Sequence, residues 1–150
     1  MSNTMPLIIS GFPGIGKTHV VNSASIKGRV VADSDSSTFD KADFPDNYLN
    51  HIDRILSEGI PTLISSHASV RQGLEKRGIS YTLVYPEHNL KNEYLQRYRN
   101  RRSPDAFIEM MAARWDEFIG SCDDSYPYRR IRLQQGQYLS DVLKSFDWFN

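Results

Sequence analysis

Apolar and polar positions along this chain follow two periods, and the switches between them mark out a series of elements. Short apolar runs at residues 7–10, 29–33, 61–66, 79–85 and 130–133 read as five strands, the fourth closed by Pro86. Helical spacing fills the gaps. Tyr48, Ile52, Ile55 and Leu56 recur at that spacing after a cap expected at Asp46, and Val70 and Leu74 mark a short helix ending at Gly78. Leu90, Tyr94, Leu95 and Tyr98 mark the next. Ser103 and Pro104 suit an N-cap and first helical position, and behind them Phe107, Met111, Trp115 and Phe118 make an apolar stripe that reads as core. A last helix runs from Ser140 through Val142, Leu143 and Phe146. Strands alternating with helices predict an α/β fold: a parallel sheet with helices on both faces and ligands beyond the carboxyl ends of the strands.

The first strand runs directly into Gly11, Phe12, Pro13, Gly14, Ile15, Gly16, Lys17 and Thr18. This fits the phosphate-loop pattern G-x-x-x-x-G-K-[ST], in the strand-to-helix setting that pattern requires. Glycines lack a Cβ, so successive backbone N–H groups can converge on one anion. The helix that follows turns its positive end toward the same point. Lys17 is expected to reach the β- and γ-phosphates, Thr18 to ligate Mg²⁺, and Pro13 to stiffen the loop. The expected ligands are thus a nucleoside triphosphate and Mg²⁺.

The second strand ends in Asp33-Ser34-Asp35. Side chains at i and i+2 of an extended segment share a face, so both carboxylates are candidates for one cleft. One can hold Mg²⁺, for which Asp33 is the candidate alongside Thr18. The other, Asp35 on that assignment, can accept a proton from an acceptor hydroxyl, and the spacing alone leaves the two roles interchangeable between Asp33 and Asp35. The third strand ends without an acid. It offers Ser66 and His67, with Arg71 following, as candidate acceptor contacts; for Arg71 the alternative is an ordinary helix-surface charge.

Arg97, Arg99, Arg101 and Arg102 fall between two helices, around residues 97–104. Arginine donates paired hydrogen bonds to phosphate and stays charged, and Arg97 and Arg101 are one helical turn apart. They are the pair expected to act as a short helical lid over the transferring group.

At 150 residues the chain is expected to be one domain. Lysines and arginines balance acids at 18 each, which argues against a generic duplex binder while leaving a nucleic-acid acceptor open. No apolar run approaches membrane-spanning length, and the single cysteine, Cys122, suits a reducing compartment, so a cytoplasmic protein without membrane contact is expected.

The chain resembles the small P-loop kinases: nucleoside monophosphate kinases, shikimate kinase and gluconate kinase. Residues 11–18 look like their phosphate loop, with the proline typical of adenylate-kinase-like members. Asp33-Ser34-Asp35 is similar to the D-x-D of shikimate-kinase-like members, and the arginine-rich junction to their lid. Residues 136–139 (Gly-Gln-Tyr-Leu) stand where that group contacts adenine. The chain also resembles short phage-type proteins labelled adenylate kinase-like. The resemblance implies a three-layer sandwich with a five-stranded parallel sheet, and a phosphotransferase using ATP and Mg²⁺. The expected acceptor is a nucleotide, placed among Asp33, Asp35, residues 44–51 and the third strand end. A hydroxyl acceptor on a nucleoside, a modified nucleic-acid base or a small metabolite is the alternative, and a non-kinase P-loop ATPase or nucleotide-binding protein the next. No N-K-x-D base-reading motif is present, and no Asp-Gly-Phe-Pro-Arg segment follows the third strand.

Overall fold

β1 (Ile8–Gly11) is the middle strand of a parallel sheet, with β3 (Thr62–Ser65) on one side and β4 (Tyr81–Pro86) on the other. β2 (Ala32–Ser34) lies outside β3 and β5 (Arg129–Leu133) outside β4, giving the order β2-β3-β1-β4-β5. The structure, a computed structural model, describes residues 6–26, 32–34 and 40–143, and for β2 and residues 23–26 the backbone alone.

Every residue of β1 and β4 is buried, and three of the four in β3. Successive strand residues face opposite sides, so both faces of the central sheet are covered. The cover is helical: α1 (Lys17–Ile26), α2 (Asp46–Ser57), α3 (Ala68–Lys76), α4 (Lys91–Asn100), α5 (Asp105–Asp123) and α6 (Leu139–Leu143). α2 packs on α3, α4 on α5, α1 on α6, and α5 also lies against β4. Ile8, Ile9, Leu63, Leu83 and Val84 meet Trp115, Tyr94, Tyr48 and Ile52 in one continuous core. Among the described residues no helix is long and apolar enough to cross a membrane.

Several boundaries differ from the pattern. Pro45, not Asp46, is the N-cap of α2, and Asp46 is its first residue, where a carboxylate suits the positive helix end. Pro104 is likewise the N-cap of α5, with extended ψ of 144°, so the helix begins one residue later than the Ser103-Pro104 pair suggests. The described part of the second strand covers residues 32–34 and so ends one residue later, at Ser34. The fifth strand starts at Arg129, and the last described helix starts at Leu139. Asp35, residues 29–31 and Phe146 lie outside the described residues.

Candidate functional site

Residues 12–16 turn between β1 and α1 at the carboxyl end of the central strand. Gly14 and Gly16 both adopt positive φ, +91° and +95°, which L side chains rarely take. A Cβ on Gly14 would also stand 2.9 Å from a Tyr98 ring carbon. The backbone is anchored at each end: the Phe12 N–H donates to Val84 O at 3.0 Å, and the Gly16 carbonyl accepts from Val20 N at 3.2 Å. Phe12 and Ile15 are buried side chains, 2% and 0% exposed, so these two positions can offer a ligand only backbone. The N–H groups of Gly14, Ile15 and Gly16 donate to no acceptor among the described residues. Such donors belong next to water or an anion.

Lys17 opens α1 with its side chain folded back over the loop. Its Nζ donates to Gly11 O at 2.5 Å and reaches Phe12 O at 3.4 Å. Thr18 is exposed beside it. Two cavities meet at Pro13, Lys17 and Phe107. The first, about 730 Å³, is bounded by Gly14, Gly16, Thr18, Arg97, Arg101 and Tyr138. The second, about 490 Å³, lies between Gly11, the end of β3 and the face of α5. Ser66, His67 and Arg71 line it from the β3 side, and Met110, Met111, Arg114 and Phe118 from α5.

Arg71 is 4% exposed and is not a helix-surface charge. Nε donates to Ser66 O at 2.9 Å, Nη1 to Ser121 O at 3.0 Å and Nη2 to Ser121 Oγ at 2.8 Å. Three of its five donors are thus taken by neutral acceptors. Among the described residues it forms no ion pair. A buried cation without a counter-charge is costly, and an anion entering the cavity would relieve that cost. His67 is an exposed residue at the start of α3, edge-on to Phe44 with ring centres 6.3 Å apart. The nearby Cys122 thiol is buried, which pushes its pKa up to about 11 and keeps it protonated.

The two lid arginines differ. Arg97, its side chain 9% exposed, is held on all sides rather than poised to move. Nη1 donates to Gly14 O at 2.9 Å; Nη2 donates to Gln137 O at 2.9 Å and pairs with Glu93 at 2.7 Å. Its guanidinium also lies between the Tyr94 and Tyr138 rings, 4.3 Å and 3.8 Å from their centres. The expectation that Arg97 closes over phosphate does not match this arrangement, because its donors already fix the loop. Arg101 is exposed on the first cavity, with Nε on Ser103 Oγ at 3.0 Å. The junction itself is a tight turn: Arg102 takes a positive φ of 59°, and Ser103 N–H returns to Tyr98 O at 2.9 Å.

The Asp33 backbone pairs with Leu63, level with Ile9 of β1 and two residues before the cavity-lining end of β3 at Ser65. In the segment the resemblance aligned with adenine contacts, Tyr138 borders the first cavity, whereas Leu139 is buried and serves the core.

Arg114 was not anticipated. It interrupts the helical geometry of α5, with φ −113° and ψ 15°, where that helix borders the second cavity. It pairs with Glu117 through two hydrogen bonds of 3.0 and 2.7 Å, which raises its own pKa and lowers that of Glu117. The signal was present: Arg114 stands three residues after Met111 and four before Phe118, a charge in line with an otherwise apolar stripe. Half-buried Phe107 and Phe118 therefore wall a cavity, Trp115 sits in the core, and buried Met111 belongs to both. Arg130 and Arg132 serve the fold instead: Arg130 caps the end of α5 through Cys122 O and Ser125 O, and Arg132 pairs with Asp123. The chain matches no family model and no curated protein.

Proposed function

We propose that this chain is an ATP-dependent phosphotransferase whose acceptor is an anionic nucleotide, built on the five-stranded, three-layer P-loop kinase architecture. The observation that carries this reading is the meeting of two cavities at Lys17, one edged by a phosphate-loop sequence and the other by a buried arginine with no ion pair among the described residues.

In this reading the donor polyphosphate lies in the first cavity. The N–H groups of Gly14, Ile15 and Gly16 and the amino end of α1 bind its oxygens. Lys17 exchanges its loop carbonyls for the β- and γ-phosphates as they enter. Thr18 is the side chain that would hold Mg²⁺, with Asp33 as its partner; the ion would neutralise charge between the phosphates. Arg101 lines the same cavity, which supports it as the lid arginine for the transferring group.

The acceptor occupies the second cavity. Arg71 holds its phosphate, and the apolar wall of Phe107, Met110 and Phe118 covers its uncharged part. An ionised phosphate acceptor is already a nucleophile, so no general base is required and the task is alignment and charge stabilisation. Arg114 supplies further positive charge from α5 on leaving Glu117.

Incubation with labelled ATP and a panel of nucleoside monophosphates, nucleosides, hydroxy acids, DNA and RNA tests this directly. Label on a nucleoside monophosphate is the expected result. Label confined to hydroxyl acceptors would replace it with the alternative kinase reading, and label in inorganic phosphate alone would indicate an ATPase.

A further inference from the structure

We infer that α4 is a brace that holds the phosphate loop in its anion-binding shape before any ligand arrives, with Tyr98 and Arg97 as positioning residues. The inference rests on the phosphate site proposed above. Four consecutive loop carbonyls are occupied. Pro13 O accepts the Tyr98 hydroxyl at 2.8 Å, Gly14 O accepts Arg97 Nη1 at 2.9 Å, Ile15 O accepts the Leu139 N–H at 2.8 Å, and Gly16 O accepts Val20 N at 3.2 Å.

In a trans peptide the carbonyl and the next residue's N–H point in opposite directions. Turning the carbonyls of Pro13, Gly14 and Ile15 outward onto α4 and α6 therefore turns the N–H groups of Gly14, Ile15 and Gly16 the other way. Those are the three amides that donate to no acceptor among the described residues.

The brace is itself supported. Glu93 pairs with Arg97 and accepts the Gly136 N–H at 3.1 Å, so the turn before α6 and the arginine are set together. Burial pushes the Tyr98 pKa up, which keeps its hydroxyl a donor. Tyr94, one turn earlier, is a built-in comparison, since its buried hydroxyl has no partner among the described residues.

The test uses the full chain and the variants Tyr98→Phe, Arg97→Gln and Tyr94→Phe, each checked for folding by its melting curve. Two quantities are measured: ¹⁵N order parameters of Gly14, Ile15 and Gly16 without ligand, and the affinity for Mg²⁺-ATP. Tyr98→Phe and Arg97→Gln are expected to lower the order parameters and weaken ATP roughly five- to tenfold each, the scale of one lost hydrogen bond. Tyr94→Phe is expected to change neither. Unchanged loop order and affinity in Tyr98→Phe, or equal losses in Tyr94→Phe, overturn the brace. Loosened loops in a protein that binds no ATP support the brace and refute the phosphate site instead.

Discussion

Arg97 on α4 donates to the carbonyl of Gly14, 83 positions earlier in the chain, at 2.9 Å. The contact joins a helix expected to move to a loop expected to stay still. It predicts that Arg97 matters to stability. Arg97→Ala leaves Glu93 without its cation and two carbonyls without a donor, and is expected to cost about 2–3 kcal/mol in urea unfolding. A stability within ~0.5 kcal/mol of wild type would return Arg97 to the role of a mobile lid.

Arg71 predicts the opposite division. Its charge is buried with no ion pair among the described residues, so Arg71→Met should change stability by no more than about 1 kcal/mol, since an apolar group of similar volume offsets the lost hydrogen bonds. Acceptor binding should nevertheless weaken roughly 10- to 100-fold, the scale of lost charged hydrogen bonds. A KM for the acceptor that does not move would remove Arg71 from the site.

Gly14→Ala tests the loop geometry. The new Cβ would meet the Tyr98 ring and force a non-glycine residue into positive φ, so a loss of about 1–2 kcal/mol is expected from backbone strain alone. ATP affinity should fall with it. A Gly14→Ala protein as stable as wild type would show that the loop takes another conformation.

Acid should weaken the junction of β5 and α5. Burial opposes ionisation of Asp123, yet hydrogen bonds from Tyr85 and Arg132 and the nearby charges of Arg132 and Arg130 hold its pKa below the ordinary 3.8. A lowered folded pKa contributes stability above the unfolded value and loses it as pH falls through the folded one. Unfolding free energies measured downward from about pH 5 should therefore show a fall below about pH 4 that is smaller in Asp123→Asn. Identical pH profiles would contradict the assignment.

The alternation of strands and helices was legible because parallel strands buried on both faces are apolar throughout, as in Ile8-Ile9 and in β4. The phosphate-loop pattern was legible because it is local: the glycines, Lys17 and Thr18 all fall within eight residues. The N-caps of α2 and α5 each differ by one residue from the pattern: Asp is a good cap and also suits the first turn, and proline is tolerated both before a helix and at its first position. What spacing could not show was distance across the fold. Arg71 meets Ser121 fifty positions away, and Arg97 meets Gly14 and Gln137. Those contacts decide whether an arginine is a surface charge, a brace or an anion site. The same applies to Arg114, whose apolar neighbours in sequence concealed the cavity it borders.

In the proposed reaction Lys17 stands between a bound ATP and a phosphate-bearing acceptor. Phosphoryl transfer from labelled ATP to a nucleoside monophosphate, compared between wild type and Lys17→Ala, measures it most directly. Transfer by the wild type and its loss in Lys17→Ala, with a melting curve left in place, is the predicted result. Equal transfer by both proteins would contradict it.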